Sequence, residues 1–405
     1  MPVYTGIDWS QNKHDVTFLN ETAVMMAQLV IPHTQEGFLQ LDETCQRMGI
    51  APSECVVGLE TAHNLLIDFL WARGYTQVYV VPPQVVKSSR NRYRQSGAHT
   101  DASDSFVLAD VLRTDRGRLQ PWHPDLVLTR QIRAKVSLIS FLTRDMVRLH
   151  NRLTAVLLRY YPAALHLFSR FTQIGAEFIQ AYPTPQAAAA LTFEDLLAFA
   201  RQHQYKRPQK LQTYFARLHA DYPQAMPDTV LVYQDEAPLL AATLCKLVKA
   251  KAQALSELQS LFEQHPDSPI FRSLPGAADF LAPALLAKFG DDRQRFPTAA
   301  SLQALAGTCP VTESSGQSKW IHFRRSCDHE FRHITQQWAK ASLKTSVWAN
   351  AYWHQVRPHC RSESHAYRCL ANRWLAILWK LWQLRQPYDE AYHCQQRLLR
   401  SKPRA

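Results

Sequence analysis

Residues 3–19 read "VYTGIDWSQNKHDVTFL", two short runs rich in β-branched and aromatic residues on either side of a polar stretch. Residues 3–9 and 15–19 are typical of strands and "SQNKH" is typical of a turn, so the segment predicts a hairpin. One acid, Asp8, lies inside the first strand, just before the turn. The fold depends on what the following sequence adds to this hairpin.

The segments that follow make an ordered series of strands and helices. "AVMMAQLVI" predicts a third strand, and Thr34 is a suitable N-cap for a helix over "QEGFLQLDETCQRMG". The next four segments predict strand, helix, strand and helix: "ECVVGLE", "NLLIDFLWARG", "QVYVVPP" and "TDASDSFVLADVLR". Three strands, helix, strand, helix, strand and helix is the order of the ribonuclease-H-like, or RuvC-like, α/β fold. We assign that fold to residues 1–125.

From about residue 126 the pattern changes to sustained helix. Apolar residues recur at spacings of three and four, as in a heptad seam: Ile132, Val136, Ile139, Leu142, Met146, Leu149, Leu153, Val156 and Tyr160. A second series at 240–261 makes either an antiparallel hairpin with the first or a contact between subunits. We therefore expect a helical coiled-coil arm over residues 126–268, with a helical insertion at about 162–237.

The remaining residues, 269–405, are expected to form a mainly α-helical C-terminal domain. Its first part, "FRSLPGAADFLAPALLAKFG", has Pro275-Gly276 between two short helical runs. Helix-hairpin-helix elements use such a turn to offer backbone N–H groups to DNA phosphate. An ordinary helix–helix turn fits the same residues.

The composition favours a polyanionic partner. Lys and Arg number 46 against 34 Asp and Glu in 405 residues, giving a formal charge of +12. Nucleic acid is the commonest partner of such a chain, although a merely basic enzyme has the same balance. The N-terminus lacks a signal pattern, and no apolar run reaches membrane-spanning length. We expect a cytoplasmic protein without a membrane partner.

The eight cysteines form no CxxC pair. Cys327 with His329 and His333, or His359 with Cys360, are the combinations that come nearest to a zinc site, but neither has paired ligands at finger-like spacing. Reduced thiols, mostly buried, are the expectation for a cytoplasmic chain.

Four acids occupy positions that this α/β fold gathers at one end of its sheet: Asp8, Glu60, Asp101 and Asp104. Each alone has a structural explanation, as a helix cap, a strand end or a turn residue. Together they would repel one another unless a hard divalent cation such as Mg²⁺ neutralised them, and two such ions can clamp a phosphodiester. Asp15 and Asp110 are expected to lie off that face.

A second segment, "GTCPVTESSGQSKWIHFRRS" (residues 307–326), places two serines before Gly316 within basic sequence. Glycine allows a phosphate to approach the backbone closely. Three nearby cations suit the charge of a phosphoryl transition state: Lys319, Arg324 and Arg325. The alternative is an ordinary polar loop.

Several blocks of this chain resemble a known family. "GIDWSQNKHDV", "GLETAHN" and "TDASDSFVLADVLR", with the later "AG-x-x-P-x-x-x-x-SG" stretch, look like the DEDD-type transposases of single-gene insertion sequences. That group includes the Piv and MooV DNA invertases and is regarded as bridge-RNA-guided. The resemblance covers both ends of the chain.

The resemblance implies a RuvC-like domain with Mg²⁺ (or Mn²⁺) on the four acids, and a C-terminal transposase domain whose serine forms a phosphoserine bond to DNA. The serine directly before the glycine is Ser315, but Ser314 precedes it and leaves the assignment open by one position. The segment "SCDHEFRHITQQW" lacks the glycine- and arginine-rich run of relatives. Implied partners are donor and target DNA, a structured guide RNA and further copies of the chain, as a dimer to tetramer associated with the nucleoid.

A basic segment, "KSSRNRYRQ" (residues 87–95), suits contact with RNA phosphates because its cations surround Tyr93: Lys87, Arg90, Arg92 and Arg94. A solvated basic helix is the alternative. For the whole chain two other functions compete: a metal-dependent RuvC-like nuclease whose serine loop only binds DNA, and a non-catalytic nucleic-acid-binding protein.

Overall fold

The computed structural model describes residues 2–61, 65–90, 92, 100–168 and 172–401, with side chains up to residue 397. Its chain divides into two compact units, Met1–Pro124 and Asp125–Ala405. The first division falls beside the boundary predicted from the sequence. The predicted arm and C-terminal domain belong to one compact unit.

The first unit is built on a five-stranded mixed sheet in the order β3-β2-β1-β4-β5. Its strands are β1 (Val3–Trp9), β2 (Lys13–Leu19), β3 (Met25–Pro32), β4 (Cys55–Leu59) and β5 (Gln77–Val80). The first three pair antiparallel, whereas β4 and β5 run parallel to β1. The helices are α1 (Gln35–Arg47), α2 (Leu65–Ala72), α3 (Pro83–Arg90) and α4 (Asp101–Asp115). The predicted α/β class is confirmed, and the topology is compatible with a RuvC-like domain.

Two glycines let α4 lie close against the sheet. A Cβ on Gly6 of β1 would overlap the Ser105 carbonyl oxygen and stand 2.5 Å from the Ala109 amide nitrogen. A Cβ on Gly58 of β4 would stand 2.8 Å from the side chain of Leu112. Helix α4 therefore crosses β1 and β4 in close contact, which brings its N-terminus to the end of the sheet where Asp8 lies.

The second unit contains fourteen helices and one small hairpin among its described residues. The helices are α5 (Val127–Tyr160), α6 (Gln173–Ala181), α7 (Pro185–Ala189), α8 (Phe193–Gln202), α9 (Leu211–Leu218), α10 (Pro227–Tyr233), α11 (Glu236–Glu263), α12 (Ser268–Arg272), α13 (Leu281–Phe289), α14 (Ala299–Leu305), α15 (His329–Ser342), α16 (Val347–Val356), α17 (Glu363–Leu384) and α18 (Glu390–Ser401). The hairpin strands are β6 (Val311–Ser315) and β7 (Ser318–His322). Across the described helices of the whole chain, none is both long and apolar enough to cross a membrane.

The long helices α5 and α11 pack antiparallel. Arg152 near the end of α5 pairs with Glu236 at the start of α11 at 2.7 Å. Lys135 near the start of α5 contacts Glu257 near the end of α11. The two heptad series thus pair within one chain.

Each end of this helix pair belongs to a different hydrophobic core. Ile132 and Val136 pack with Leu258 and Phe262 in the core built mainly by α12–α17. At the other end, residues such as Leu153 and Leu244 pack with the helices of the insertion, α6–α10. The predicted insertion is therefore a helical body with its own core.

The Pro275-Gly276 turn packs against α15. The Pro275 carbonyl accepts a hydrogen bond from the Trp338 indole at 3.0 Å. Gly276 has a φ of +72°, and a Cβ there would stand 2.6 Å from the backbone at Ala341 and Ser342. These contacts give the turn a packing role and account for its glycine.

Candidate functional site: a carboxylate cluster and an exposed serine hairpin

Two of the four predicted acids lie side by side at one edge of the sheet. In the parallel pair β1–β4, Ile7 stands opposite Leu59. Asp8 follows Ile7 and Glu60 follows Leu59, so the two acids lie at neighbouring positions at the same end of the sheet. Both are half-buried.

The other two acids lie in the first turn of α4. The N-cap Thr100 accepts a hydrogen bond from the Ser103 amide at 3.2 Å, and this capping box fixes the start of the helix. Asp101 is exposed, whereas Asp104 is only 7% exposed. Negative charge at a helix N-terminus is favourable, which helps the helix to hold two carboxylates there.

The electrostatics of Asp8 show that the four acids converge. Burial is the largest of the causes that raise the pKa of this carboxyl from its ordinary value of 3.8 to about 7. The charges of neighbouring carboxylates raise it further, in the order Asp104, Glu60, Asp101 and Asp15. A carboxyl with this pKa is half-protonated near neutral pH, so the cluster lacks enough positive charge to ionise fully.

Two cations already serve the α4 carboxylates. The Arg90 guanidinium makes a bidentate pair with Asp104, with both N–O distances at 2.7 Å. Lys13 bridges Asp101 at 3.2 Å and Asp15 at 3.4 Å. Arg90, which we predicted as a nucleic-acid contact, is thus placed inside the acidic cluster, and Lys13 is a member that sequence reasoning missed.

The expectation for Asp15 was wrong. In the antiparallel pair β1–β2, Asp15 stands directly opposite Asp8, so both side chains project from the same face. Asp110 does lie apart, buried and paired with Arg113 at 2.6 Å. The sequence prediction began the second strand at Asp15, whereas β2 begins at Lys13. This shorter turn sets the register that pairs Asp15 with Asp8.

The donor chemistry of the cluster suits a hard divalent cation, although no three of its described acids bring ligand oxygens within 4.8 Å of one another in this structure. Its donors are carboxylate oxygens, the ligand type that Mg²⁺ prefers. The raised pKa of Asp8 marks excess negative charge that the side chains alone leave uncompensated. Asp8 and Glu60 are the acids for which no cationic partner appears within the described residues, so they are the first candidates to hold an ion. Asp104 would join them if Arg90 moved aside.

The segment expected to be a serine loop is a β-hairpin. Strands β6 and β7 pair antiparallel from Val311 opposite His322 to Ser315 opposite Ser318. The two turn residues begin with Gly316 at φ +57°, as in type II′ hairpin turns. Nothing lies within 4 Å of the position a Gly316 Cβ would take. The tip is therefore open for the approach of a ligand.

The hairpin separates its two serines onto opposite faces. Ser314 stands opposite Lys319, and these share one face. Ser315 stands opposite Ser318 on the other face, next to the pair formed by Glu313 and Trp320. All four residues of the two serine pairs are exposed.

The cations around the hairpin have different tasks. The Arg324 guanidinium donates to the Cys309 carbonyl at 3.3 Å, which ties the end of β7 to the start of β6. Lys319 and Arg325 are exposed, and neither pairs with an acid in the described part of the chain. These two are available for an anionic ligand, whereas Arg324 is a structural anchor.

Ser315 has no activating base within its own hairpin. Its hydroxyl makes no hydrogen bond to a described residue, and the nearest titratable pair of the hairpin, His322 with Glu313 at 3.5 Å, belongs to other positions. A serine hydroxyl is a weak nucleophile without a base or a metal. If Ser315 is a nucleophile, its activation must come from outside residues 311–322.

The predicted basic segment is described only in part. Lys87 is exposed on α3, and Arg92 lies 3.5 Å from Asp115. Arg94 and Tyr93 lie outside the described residues. With Arg90 bound to Asp104, Lys87 and Arg92 remain as predicted contacts for nucleic acid.

Comparison with known proteins gives the family. A family model described as "Transposase", for DEDD-type proteins of IS110 elements, matches residues 5–162. A second, described as "Transposase IS116/IS110/IS902 family", matches residues 268–354. The first match spans all four acids and the second spans the serine hairpin. Proteins of the DEDD type typically depend on a divalent metal.

Curated relatives agree with these matches. The chain is 30% identical over 400 residues to the "Mini-circle putative transposase for IS117" of Streptomyces coelicolor, covering 96% of each protein. It is 27% identical over 297 residues to an uncharacterised IS110 protein of the same organism, covering 70% of each. A putative transposase of Sinorhizobium fredii is 27% identical over 212 residues, 50% of this chain and 57% of that one. The chain belongs to the IS110/IS116 family of insertion-element transposases, enzymes that cleave and rejoin DNA.

Proposed function

We propose that this transposase cuts and rejoins DNA through a phosphoserine intermediate on Ser315, assisted by a divalent cation on its carboxylate cluster and guided by a structured RNA. The observation that carries the proposal is the grouping of Asp8, Glu60, Asp101 and Asp104: burial first, and then the charges of the other three acids, raise the pKa of Asp8 to about 7. Shifts of this kind accompany sites built for charge that the resting protein lacks.

The covalent step balances without an energy source. The Ser315 Oγ forms a bond to phosphorus as the bond from phosphorus to one deoxyribose oxygen breaks, and the serine proton passes to a base. The departing deoxyribose oxygen takes up a proton. Rejoining reverses these changes, with a deoxyribose hydroxyl of the new strand displacing the serine. The phosphodiester energy is conserved in the serine ester throughout.

The carboxylate cluster would hold Mg²⁺ or Mn²⁺ through Asp8 and Glu60, with Asp101 and Asp104 as further ligands. A bound cation supplies charge stabilisation and an activated oxygen. The cluster and the hairpin lie in different compact units, so this assistance is equally open to a second copy of the chain in a dimer or tetramer.

The hairpin supports the choice of Ser315. Its hydroxyl is at the open tip beside Gly316, and it shares a face with Ser318, a possible donor to a phosphate oxygen. Trp320 on the same face is 53% exposed, which suits stacking against an unpaired base. Arg325, exposed and without an acidic partner in the described part of the chain, can supply positive charge for the phosphate, whereas Lys319 projects from the face of Ser314.

RNA guidance rests on the resemblance to bridge-RNA-guided relatives and on the formal charge of +12. Lys87 and Arg92 are exposed and precede Asp101 and Asp104 in the sequence. Among the residues that the structure describes, these two are the candidates for contact with RNA phosphates. Sequencing of nucleic acid that co-purifies with the protein tests this part. A discrete RNA encoded beside the gene supports guidance, and recovery of random fragments alone contradicts it.

The covalent step is tested by trapping the protein on donor DNA with a divalent cation, denaturing it and mapping the modified peptide by mass spectrometry. We expect a nucleotide ester on Ser315. An ester on Ser314 moves the nucleophile by one residue. Cation-dependent cutting without an adduct at any serine replaces the proposal by the RuvC-like nuclease reading.

A further inference from the structure

Three metal-ligating side chains converge at the start of α17, remote in sequence from the acids and the hairpin. Cys360 follows the 3₁₀ turn Arg357–His359, and His365 and Cys369 lie in the first two turns of α17. The two sulfurs and an imidazole nitrogen all lie within 4.8 Å of one another. Within the described residues, this is the group of three histidine, cysteine or acidic side chains that meets such a distance.

The fold holds these donors by two separate elements. His365 and Cys369 are four residues apart, so they lie on the same face of α17. Ser362 caps the helix by accepting the His365 amide at 3.2 Å, which fixes its first turn. The Cys360 carbonyl accepts a hydrogen bond from Arg357 at 3.3 Å, which closes the preceding turn. The third donor is thus presented to the helix face by an ordered turn.

We propose that Cys360, His365 and Cys369 bind a zinc-class cation, with the fourth tetrahedral position left to water or an external ligand. Two thiolates and an imidazole are a donor set that Zn²⁺ uses with one open position. Soft sulfur ligands also separate this site from the oxygen-only carboxylate cluster, which selects hard cations. All three side chains are half-buried, so a cation can enter from solvent.

The sequence alone suggested other groupings of possible zinc ligands, which share only Cys360 with this group. Cys327 was grouped with His329 and His333, yet its sulfur contacts the Arg332 guanidinium at 2.5 Å. Cys360 was paired with His359 and is grouped here with His365. The spacing C-x₄-H-x₃-C is informative only when a helix begins between the first and second ligands, and that boundary is what the structure adds.

A residue of the site's helix contacts the segment that follows the serine hairpin. Arg368, next to Cys369, places its guanidinium 4.6 Å from the centre of the Phe323 ring, and Arg332 lies 4.6 Å from the same ring. Phe323 directly follows β7. A cation that fixes the first turns of α17 would therefore also help to hold Arg368 against Phe323, the residue that follows the hairpin.

The test uses the full chain, stripped with a chelator and titrated with Co²⁺. Thiolate ligands give a near-ultraviolet charge-transfer band that oxygen ligands do not, so ions on the carboxylate cluster are not counted. We expect one equivalent of thiolate-bound Co²⁺, displaced by Zn²⁺. Cys360→Ser and Cys369→Ser should each weaken binding by more than about 100-fold, beyond the effect of changing an outer hydrogen-bond partner.

Two controls keep the outcome interpretable. Cys394→Ser removes a half-buried thiol from α18 and should leave the band unchanged, while circular dichroism checks that each variant is folded. A folded wild-type chain without the band overturns the proposal. So does a band that persists in both ligand variants, or a Cys360–Cys369 disulfide in place of bound zinc in protein purified under reducing conditions.

Discussion

The carboxylate cluster and the serine hairpin differ in burial and in charge. The cluster draws Asp8, Glu60, Asp101 and Asp104 from three separate elements, buries part of them and balances them with Arg90 and Lys13. The hairpin is one continuous stretch whose residues are almost all exposed. Electrostatic strain is built into the first region, whereas the second is unstrained and unactivated.

This difference indicates how the two regions control reactivity. The cluster is poised by repulsion that an arriving cation relieves. The hairpin holds a hydroxyl that stays inert until a base and a phosphate meet it. In the proposed mechanism neither region is complete alone, because the nucleophile and its activator lie in separate regions.

The largest expected effect concerns the two serines. Ser315→Ala should remove the DNA adduct entirely while DNA and RNA binding persist, because one hydroxyl is lost from an exposed position. Ser314→Ala should keep the adduct and change the rate by less than about 10-fold, because its exposed hydroxyl lies on the opposite face and makes no hydrogen bond to a described residue. Ser318→Ala should fall between them. Denaturing gels of trapped complexes measure all three. If Ser314→Ala lost the adduct and Ser315→Ala kept it, the nucleophile would be Ser314.

Next in size is the contrast between two acids of the first unit, the half-buried Asp8 and the buried Asp110. Asp8→Asn should lower recombination by about 10³-fold or more, since the ion site loses a charged ligand, with the fold intact. Asp110→Asn should keep recombination and lose stability, because it leaves the Arg113 guanidinium without its partner. Recombination assays in Mg²⁺, paired with thermal unfolding, compare the variants. Normal activity of Asp8→Asn, and of Asp104→Asn beside it, would remove the metal assignment.

Two glycines extend the comparison to stability. Gly6→Ala should reduce the free energy of unfolding by about 3 kcal/mol, because its Cβ overlaps the backbone of α4. Gly316→Ala should cost only about 1 kcal/mol, because its surroundings are open and only the positive φ is unfavourable. Urea denaturation measures both. Equal losses would mean that the hairpin is packed against something in solution.

The pH dependence of stability should also distinguish the cluster. Because the folded-state pKa of Asp8 is raised from 3.8 to about 7, the folded chain keeps a proton that the unfolded chain has lost across this range. Burial lowers the pKa of His14 to about 4, which has the opposite effect on stability over part of this range, so the test is the difference between the wild type and Asp8→Asn. Without divalent cations the wild type should lose stability relative to Asp8→Asn as the pH rises from about 4 to 7, by roughly 2 kcal/mol once solvent screening is allowed for. Mg²⁺ should stabilise the wild type more at pH 8 than at pH 5. Thermal unfolding of both proteins across this pH range is the measurement, and parallel profiles would contradict the raised pKa.

The smallest expected effect separates Lys87 from Arg90. Lys87→Ala should reduce the slope of RNA affinity against salt by about 1, the value of one phosphate contact, and leave chemistry intact. Arg90→Ala should instead change the cation requirement, because its guanidinium is bound to Asp104. Filter-binding titrations over a range of salt concentrations compare them. Identical slopes for wild type and Lys87→Ala would place the RNA elsewhere.

The sequence predicted the sheet well because its strands are short apolar runs between polar turns. The gathering of four acids followed from strand order, since the ends of β1 and β4 and the start of α4 must meet in that topology. Asp15 was misplaced because its face depends on the register of one turn. The pairing of Arg90 with Asp104 could not be predicted, because the sequence around Arg90 carries no periodic pattern that places it against α4.

The serine segment shows a different limit. Its polar residues are typical of a loop, but the strand-forming residues Val311, Thr312, Trp320 and Ile321 flank them on both sides. A glycine followed by one further residue then closes the hairpin. A sequence reading that weights serine and glycine for turns overlooks the flanking strand formers. The assignment of opposite faces to Ser314 and Ser315 needed the observed register.

The helix pair α5–α11 has a consequence for how such a chain can be remodelled. The core of the insertion and the core of the C-terminal helices share only these two helices among the described residues. With 34 residues, α5 is about 50 Å long, so the cores are attached at opposite ends of a stiff rod. The helices of the insertion, α6–α10, can then be exchanged for a short connector or a foreign domain. The C-terminal core at the other end of α5 and α11 should keep its packing after such an exchange.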